Sequence, residues 1–283
     1  MVIFKKAEGL IRYLLKIKEK GGFVSFVPTM GALHTGHISL LNEANGEGVT
    51  SVVSIFVNPT QFNDKSDYEQ YPITIDEDIT ELQENGCDVL FLPSVTEMYP
   101  DGDDATPSFD FGYLETILEG AHRPGHFKGV GQVVGRFLDI VQPDKMYIGQ
   151  KDYQQCMVLT SLIKQKGLQD KVQVVICDTK RAADGLALSS RNKRLTDPQR
   201  NVAGTIYQCL VSIRSKAEDG NFKVVHKESV ELLEAKGFVP DYVALADANT
   251  LELLDEYDSD RKMVALIAAK IGSIRLIDNM LLN

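Results

Sequence analysis

Residues 28 to 37 read Pro-Thr-Met-Gly-Ala-Leu-His-Thr-Gly-His, and this stretch decides the fold. An apolar run, residues 23 to 27, precedes it and an amphipathic run follows it. This order predicts a strand, a turn bent at Gly31, and a helix that begins just before His37. The amide N–H groups and positive dipole of a helix N-terminus suit an anion such as phosphate. Because His34 and His37 lie three residues apart, both can face one ligand. Taken alone, the stretch fits a strand–turn–helix with two surface histidines equally well.

Other apolar runs along the first 178 residues repeat the order of strand, polar turn and helix. Buried strands are predicted for residues 49–57, 89–92, 146–148 and 172–177, and helices for residues 5–20, 75–85 and 130–141. Polar residues follow three of these strands: Asn58 and Gln61, then Gly149–Gln155, then residues 178–192. Parallel strands end at one edge of a sheet, where ligands bind. We therefore predict an α/β fold with a Rossmann-like parallel sheet and a phosphate-binding edge.

Residues 120–131, Gly-Ala-His-Arg-Pro-Gly-His-Phe-Lys-Gly-Val-Gly, combine four glycines with two cations and two histidines. In a chain of net charge -10, Arg123 and Lys128 form a local concentration of positive charge. The pattern is compatible with an anion-binding loop that closes over a ligand and with a solvated surface loop.

The alternation of strand and helix ends near residue 179. Two helices are predicted over residues 197–218 and 221–236, and strands over residues 242–246, 263–271 and 273–278. Grouped helices followed by grouped strands are typical of an α+β domain. We therefore predict two domains: residues 1–178, Rossmann-like, and residues 179–283, a smaller α+β domain.

Composition and missing motifs exclude several classes of protein. The chain has 283 residues, 43% of them hydrophobic, and a pI of about 5.0, which argues against a broad nucleic-acid surface. Its four cysteines form no CxxC pair, and no run is long and apolar enough for a membrane span, so we expect a reduced, cytoplasmic protein. A P-loop, a GxGxxG fingerprint, a zinc-ligand spacing and a nucleophilic serine elbow are all missing.

Five ordered motifs, PTMGALHTGH, FVNPTQF, RPGHFKGV, GQKDYQQ and DGLALSSRN, closely resemble the pantoate–β-alanine ligase family. They span residues 28–192, and the HTGH element is shared with the wider nucleotidylyltransferase and class I aminoacyl-tRNA synthetase superfamily. The resemblance implies that pantoate attacks the α-phosphorus of ATP to give pantoyl adenylate and pyrophosphate. β-Alanine then attacks the acyl carbon to give pantothenate and AMP.

The resemblance also implies roles for individual residues. ATP would be bound by Met30, Gly31, Ala32, Leu33, His34, Thr35, Gly36, His37, Gly149, Gln150, Lys151, Asp152, Lys180, Leu188, Ser189, Ser190 and Arg191. Catalysis would rest on His37, with His34, Lys151 and Arg191. Pantoate and β-alanine would be held by Asn58, Gln61, Arg123 and Gln155.

The same resemblance predicts further properties of the whole molecule. Magnesium would arrive with the triphosphate, with no tightly bound cofactor and no metal ligands from the chain. The protein would form a homodimer without nucleic-acid or membrane partners, and its second domain would form a lid over the active site. Residues 188–191 would occupy the place of the superfamily's mobile loop.

The chain departs from the family pattern at several positions. Leu188 stands where Met is common, Gln132 where Thr is usual and Ile148 where Phe is usual. Lys180 and Ala182 flank Arg181 where an apolar residue and Glu are more typical, so the partner of Arg181 is an open question.

Other functions remain compatible with parts of the pattern. Another nucleotidylyltransferase would transfer a nucleotide and stop there, but the amides of Gln61 and Gln155 suit a hydroxy acid. A tRNA synthetase fits neither the length nor the acidic charge. A nucleotide-binding scaffold with an inactive site is also conceivable, but none of the donor residues in the five motifs is missing, which argues against it.

Overall fold

The computed structural model describes residues 1–102, 107–217 and 221–282. The chain forms two compact units. The first comprises Met1–Gly149 and Gln155–Asp178, and the second comprises Gln150–Gln154 and Thr179–Asn283. The segment Gln150–Gln154 thus belongs to the second unit, although residues of the first unit flank it on both sides.

The first unit is built on a sheet of six parallel strands, which confirms the predicted fold class. The strands are β1 Val2–Phe4, β2 Phe23–Thr29, β3 Val49–Ile55, β4 Val89–Phe91, β5 Lys145–Gly149 and β6 Gln173–Cys177. Their order is β1-β4-β3-β2-β5-β6. From β2 the chain passes to β3 on one side, and it later returns to β5 on the other. The carboxyl ends of β2 and β5 therefore flank a topological switch point, where open α/β sheets bind ligands.

Apolar side chains cover both faces of this sheet. Its helices are α1 Ala7–Glu19, α2 Thr35–Ala44, α3 Lys65–Glu69, α4 Ile75–Glu84, α5 Val95–Met98, α6 Leu118–His122, α7 His126–Val141 and α8 Tyr153–Gln165. Phe26 and Val52 pack in a cluster with α1, α7 and α8, whereas the next residues, Val27 and Val53, pack with α2 and α4. Successive strand residues point to opposite faces, so near-continuous apolar runs bury both sides.

The second unit has an antiparallel sheet covered by helices. Its elements are α9 Asp197–Val202, α10 Thr205–Ser215, α11 Phe222–Ala235, β7 Phe238–Asp247, β8 Leu253–Leu254, β9 Met263–Ile271 and β10 Ile274–Leu281. The strand order is β10-β9-β7-β8. Residues of α10 and α11 share one apolar cluster with β7, β9 and β10. No helix in the described ranges is long and apolar enough to cross a membrane.

The structure corrects two of the predicted segments. Most of the predicted loop 120–131 is helical, because α6 ends at His122 and α7 begins at His126. The predicted helix 197–218 is divided between α9 and α10, and its last residue, Glu218, lies outside the described residues. A Cβ on Gly204 would lie 2.7 Å from the Asp184 carbonyl oxygen, so glycine permits this close approach where the helix breaks. The sequence pattern did not predict the strands β1 and β8.

Candidate active site

The turn between β2 and α2 is held by a buried carboxylate. Gly31 has φ +82° and Ala32 has φ +48°, both in the left-handed region. The amides of Ala32 and Leu33 donate to the two oxygens of Asp78, at 2.9 and 2.8 Å. Asp78 is only 2% exposed and also accepts from the Thr74 hydroxyl. This carboxylate stabilises a backbone conformation that a non-glycine residue such as Ala32 rarely adopts.

Sequence reasoning missed this role of Asp78. The sequence places Asp78 in the first turn of a helix, where the helix dipole alone accounts for an acidic residue, and α4 does begin at Ile75. Its partners lie 45 and 46 residues earlier in the chain, beyond the reach of any local pattern. A Cβ on Gly31 would stand 3.0 Å from an Asp78 oxygen, so this glycine also makes room for the carboxylate.

His34 and His37 lie together at the start of α2. His34 is the N-cap residue, and its Nδ1 accepts from the Gly36 amide at 3.1 Å. An accepting Nδ1 leaves Nε2 as the N–H donor of a neutral ring. The two imidazole rings stand 4.0 Å apart, centroid to centroid, and both are half-buried. The structure thus brings the two predicted histidines together at a helix N-terminus, where the backbone favours an anion.

Asn58 and Gln61 form an amide pair after β3. The Asn58 side chain, 1% exposed, donates to Gln61 Oε1 at 3.1 Å and to the Gly129 carbonyl at 3.2 Å. Its oxygen accepts from the hydroxyls of Tyr99 and Thr60. These four bonds use the full capacity of a primary amide. Asn58 therefore orients Gln61, and Tyr99, which sequence reasoning missed, orients Asn58.

Gln61 links the amide pair to the turn after β2. Its Nε2 donates to the Met30 sulfur at 3.2 Å. An amide nitrogen carries a second N–H and the oxygen a second lone pair, so Gln61 retains capacity for a hydroxy acid or a carboxylate. The predicted substrate amide thus lies directly beside the predicted nucleotide turn.

Arg123 is engaged by neighbouring side chains in the same unit. Its guanidinium lies 3.1 Å from His126 Nε2 and 3.8 Å from a Glu119 carboxylate oxygen. Since an arginine only donates, His126 Nε2 accepts and Nδ1 carries the proton. Nδ1 then donates to the Gln61 carbonyl at 2.7 Å. In this arrangement Arg123 supports the backbone of Gln61 through His126.

Gln155, the remaining predicted substrate residue, is half-buried in the first turn of α8. Gly149 is the last residue of β5, at the switch point of the first sheet. A Cβ on Gly149 would meet no atom within 4 Å, so the backbone there is open to a close approach. Gly149 is thus placed where the carboxyl end of the strand would meet a ligand.

In the second unit, Lys151 is paired with its neighbour. Its Nζ lies 3.3 Å from both carboxylate oxygens of Asp152. Asn279 of β10 donates to the backbone carbonyls of Gln150 and Lys151 at 2.9 and 2.8 Å, and its oxygen accepts from the side-chain Nε2 of Gln150 at 3.2 Å. These bonds hold the backbone of the segment from which Lys151 projects.

Residues 180–188 fold back as a hairpin, here called the 180–188 hairpin. Leu188 N donates to the Lys180 carbonyl at 3.0 Å, and Arg181 bridges to Ala187. The exposed Lys180 therefore meets Leu188 through backbone atoms. Leu188 itself is half-buried, and its exchange for methionine is close to volume-conserving.

Arg181, in the 180–188 hairpin, pairs with Asp278 of β10. The guanidinium binds both carboxylate oxygens of Asp278 and donates to the Gly185 and Asn279 carbonyls at 3.1 and 3.2 Å. It lies over the Tyr207 ring at 4.5 Å. Burial raises the pKa of the Asp278 carboxyl and Arg181 opposes that rise. The partner of Arg181 thus comes from the last strand and not from its own neighbour Ala182.

The hairpin leads into a cation-bearing turn. Ser189 accepts from the Arg191 amide at 3.3 Å and caps the 3₁₀ helix Ser190–Arg194. Ser190 is buried, whereas Ser189 and Arg191 are half-buried. Thr179 Oγ1 and Asn192 Oδ1 are buried without a hydrogen-bond partner among the described residues, and a bound ligand would satisfy such atoms.

No group of three or more His, Cys, Asp or Glu side chains stands ready to hold a metal ion within residues 1–102, 107–217 and 221–282.

Comparison with known proteins agrees with the motifs across the chain. The family model of pantoate-beta-alanine ligase matches residues 2–281. Pantothenate synthetase of Cytophaga hutchinsonii is 41% identical over 285 residues, covering 100% of this chain and 99% of that protein. Pantothenate synthetase of Bacteroides thetaiotaomicron is 42% identical over 281 residues, covering 99% and 98%.

Solved structures give the same result. Pantothenate synthetase from Thermus thermophilus superimposes with a TM-score of 0.90 at 38% identity, covering 99% of both chains. Pantoate-beta-alanine ligase from Francisella tularensis, complexed with beta-gamma ATP and beta-alanine, gives a TM-score of 0.83 at 36% identity, covering 99% of this chain and 97% of that one. This chain belongs to the pantoate–β-alanine ligase family.

Proposed function

We propose that this chain condenses pantoate with β-alanine at the expense of ATP, and that pantothenate, AMP and pyrophosphate are the products. Pantoate is first adenylated, and the amine of β-alanine then attacks the acyl carbon. The single observation that carries this proposal is the bond from Gln61 to Met30. A carboxylate held by Gln61 lies beside the turn that receives the nucleotide, where it can attack the α-phosphorus.

The first step builds negative charge on the phosphorus oxygens and on the leaving pyrophosphate. Such a transfer needs positioned donors rather than a protein nucleophile. We assign donation from the first unit to the residues Met30–His37, with His37 as the main side-chain donor and His34 beside it. His34 Nε2–H is set as a donor because Nδ1 accepts from the Gly36 amide.

The second unit supplies the remaining donors in this proposal. Lys151 moves from Asp152 to a phosphate oxygen, and Asp152 then accepts from the ribose. Ser189, Ser190 and Arg191 contact the triphosphate, while Gln150, Lys180 and Leu188 contribute mainly backbone groups. Thr179 and Asn192, whose buried oxygens lack partners among the described residues, are further candidates for nucleotide contacts.

The hydroxy acid is held by neutral groups. Gln61 and Gln155 bind the hydroxyls and carboxylate of pantoate without adding charge, which leaves the carboxylate nucleophilic. Asn58 and Arg123 contribute by orienting Gln61, from its side chain and from its backbone. Direct contact of either residue with substrate stays a prediction.

Magnesium belongs to the substrate side of this proposal and arrives with the triphosphate. The homodimer, the cytoplasmic location and the closure of the second unit over the nucleotide also stay predictions.

ATP–pyrophosphate exchange tests the proposed function. With ATP, magnesium and labelled pyrophosphate, we expect label to enter ATP only when pantoate is added, and without any need for β-alanine. Adding β-alanine should then convert the exchange into net formation of AMP and pantothenate. Exchange that proceeds equally without pantoate, or that requires a different acid, would contradict the proposal.

A further inference from the structure

We propose that Asp278 and Asn279, adjacent residues of β10, are positioning residues that align the two nucleotide-contacting segments of the second unit. These segments are Gln150–Asp152 and Leu188–Arg191. The inference rests on the proposed function, because that function assigns both segments to ATP. Neither residue of β10 belongs to any of the five motifs, which end at residue 192.

Asn279 fixes the first segment. Its side-chain nitrogen donates to the backbone carbonyls of Gln150 and Lys151, and its oxygen accepts from the side-chain Nε2 of Gln150. The residue is 2% exposed, so water does not compete for these bonds. Three bonds from one buried side chain set the direction in which the Lys151 side chain leaves the backbone.

Asp278 fixes the second segment through Arg181. The buried carboxylate binds the guanidinium with both oxygens, and the guanidinium holds the Gly185 carbonyl at the tip of the 180–188 hairpin. A Cβ on Gly185 would lie 2.0 Å from the Tyr207 ring, so the tip is tightly packed. The hairpin ends at Leu188, where the Ser189–Arg191 donors begin.

One strand therefore holds both segments, and two further hydrogen bonds link Asn279 to Asp278 and to Arg181. Asn279 N donates to Asp278 Oδ1 at 2.8 Å, and Arg181 donates to the Asn279 carbonyl at 3.2 Å. Adjacent strand residues point to opposite faces, so β10 serves one segment from each face. A shift of Asp278 or Asn279 would change the position of Lys151 relative to Arg191, and the proposed function assigns both cations to the triphosphate of ATP.

The decisive variant is Asn279→Asp, which keeps the shape and the acceptor but turns a carboxylate oxygen toward two carbonyls. We expect the KM and the dissociation constant for ATP to rise about tenfold or more. The KM for pantoate should stay within about twofold, because the first unit holds pantoate. A merely structural role would instead lower the active fraction, so that kcat falls while both KM values stay unchanged.

The matched control is Asp241→Asn. Asp241 pairs with Arg275 of β10 at 2.6 Å in the same sheet, and its side chain is 13% exposed. This variant should lose stability and keep the KM for ATP. If Asn279→Asp does not fold, Asn279→Ser, which is smaller and uncharged, takes its place with the same expectation.

Direct ATP binding separates the two proposals. Wild-type protein that binds ATP but shows no pantoate-dependent exchange would contradict the proposed function. The ATP dissociation constants of the Asn279 variants would then still test this inference. Active wild-type protein whose Asn279 variants keep the wild-type ATP affinity and KM would overturn the inference. An equal rise in the KM for ATP in Asp241→Asn would overturn it too.

Discussion

Two turns that we assign to the nucleotide, one in each unit, are both held by a buried aspartate from elsewhere in the chain, but the aspartates work differently. Asp78 accepts from the backbone amides of Ala32 and Leu33. Asp278 instead neutralises the guanidinium of Arg181. The first turn is thus held by neutral donors and the second by a cation.

The difference determines what each turn loses when its aspartate is removed. Without Asp78, two neutral N–H groups lack an acceptor, which costs about 1–3 kcal/mol for a buried neutral donor. Without Asp278, a cation whose side chain is only 19% exposed loses its counter-ion, and an unpaired charge costs more than an unpaired neutral donor. Removing its aspartate should therefore destabilise the second turn more than the first, although side chains make more of the hydrogen bonds in the second turn.

The largest expected effect follows from removing Asp278. Asp278→Ala should lower the free energy of unfolding of the second unit by about 3–5 kcal/mol, because it leaves a buried cation unpaired. Urea denaturation checks this, and the labelling rate of Cys209 reports the same unit, since burial raises the pKa of that thiol to about 11. The double variant Asp278→Leu with Arg181→Leu should recover part of the loss. A single-variant loss below about 1 kcal/mol would show that the ion pair is not what holds the hairpin.

The next effect concerns the histidine that the first turn presents. His37→Ala should lower the rate of pantoate adenylation by about 10²–10³-fold, because one donor to the developing charge is lost. Its melting temperature should match the wild type, since the ring is half-buried on the helix surface. Arg191→Ala provides the counterpart in the second unit and should slow pyrophosphate formation by a similar factor. Near-wild-type turnover in His37→Ala would remove this residue from the mechanism.

Asp78→Asn should have a smaller effect on stability than Asp278→Ala. The amide can still accept one of the two N–H bonds, so we expect a loss of about 1–3 kcal/mol together with weaker ATP binding. Labelling of Cys87 reports opening of this unit, because burial raises the pKa of its thiol to about 12 and keeps it unreactive while the unit stays closed. Thr74→Val, which removes only a hydroxyl bond to Asp78, serves as the milder control. A loss in Asp78→Asn as large as in Asp278→Ala would contradict the distinction between neutral donors and a cation.

The smallest effect concerns a second ion pair of the same hairpin, Asp184 with Arg200. Both side chains are about two-fifths exposed, at 41% and 39%, so solvent screens the pair. Arg200→Gln should therefore cost less than about 1 kcal/mol at neutral pH.

The pH dependence of that small effect has a defined sign. The hydrogen bond from Arg200 lowers the pKa of the Asp184 carboxyl in the folded protein. A lowered pKa contributes stability above the unfolded value, about 3.9, and that contribution disappears as the pH falls through the folded value. The difference in unfolding free energy between wild type and Arg200→Gln should thus be constant near pH 7, begin to shrink as the pH falls below about 4, and vanish only below the folded pKa of Asp184. A difference that grows on acidification would contradict this assignment.

The elements that could be predicted from the sequence are those with local causes. The turn before α2 was predicted from a buried apolar run, a glycine and an amphipathic run, all of which are adjacent in the sequence. Gln61 could be placed at the ligand-binding edge because it follows the end of a strand. The aspartates that hold the turns could not be predicted, because Asp78 acts across 46 residues and Asp278 across 97. The pattern around Arg123 predicted a loop, but Arg123 lies between the helices α6 and α7, and its bond to His126 links it to the backbone of Gln61.

Transfer of a carboxylate oxygen tests the central claim most directly. Pantoate labelled with ¹⁸O in both carboxylate positions would be converted with ATP and excess β-alanine, and the AMP analysed by mass spectrometry. Attack of the carboxylate on the α-phosphorus predicts one ¹⁸O atom in each AMP, because the amine displaces AMP together with the bridging oxygen. Unlabelled AMP, or label in inorganic phosphate or pyrophosphate, would contradict an adenylate formed at the turn after β2.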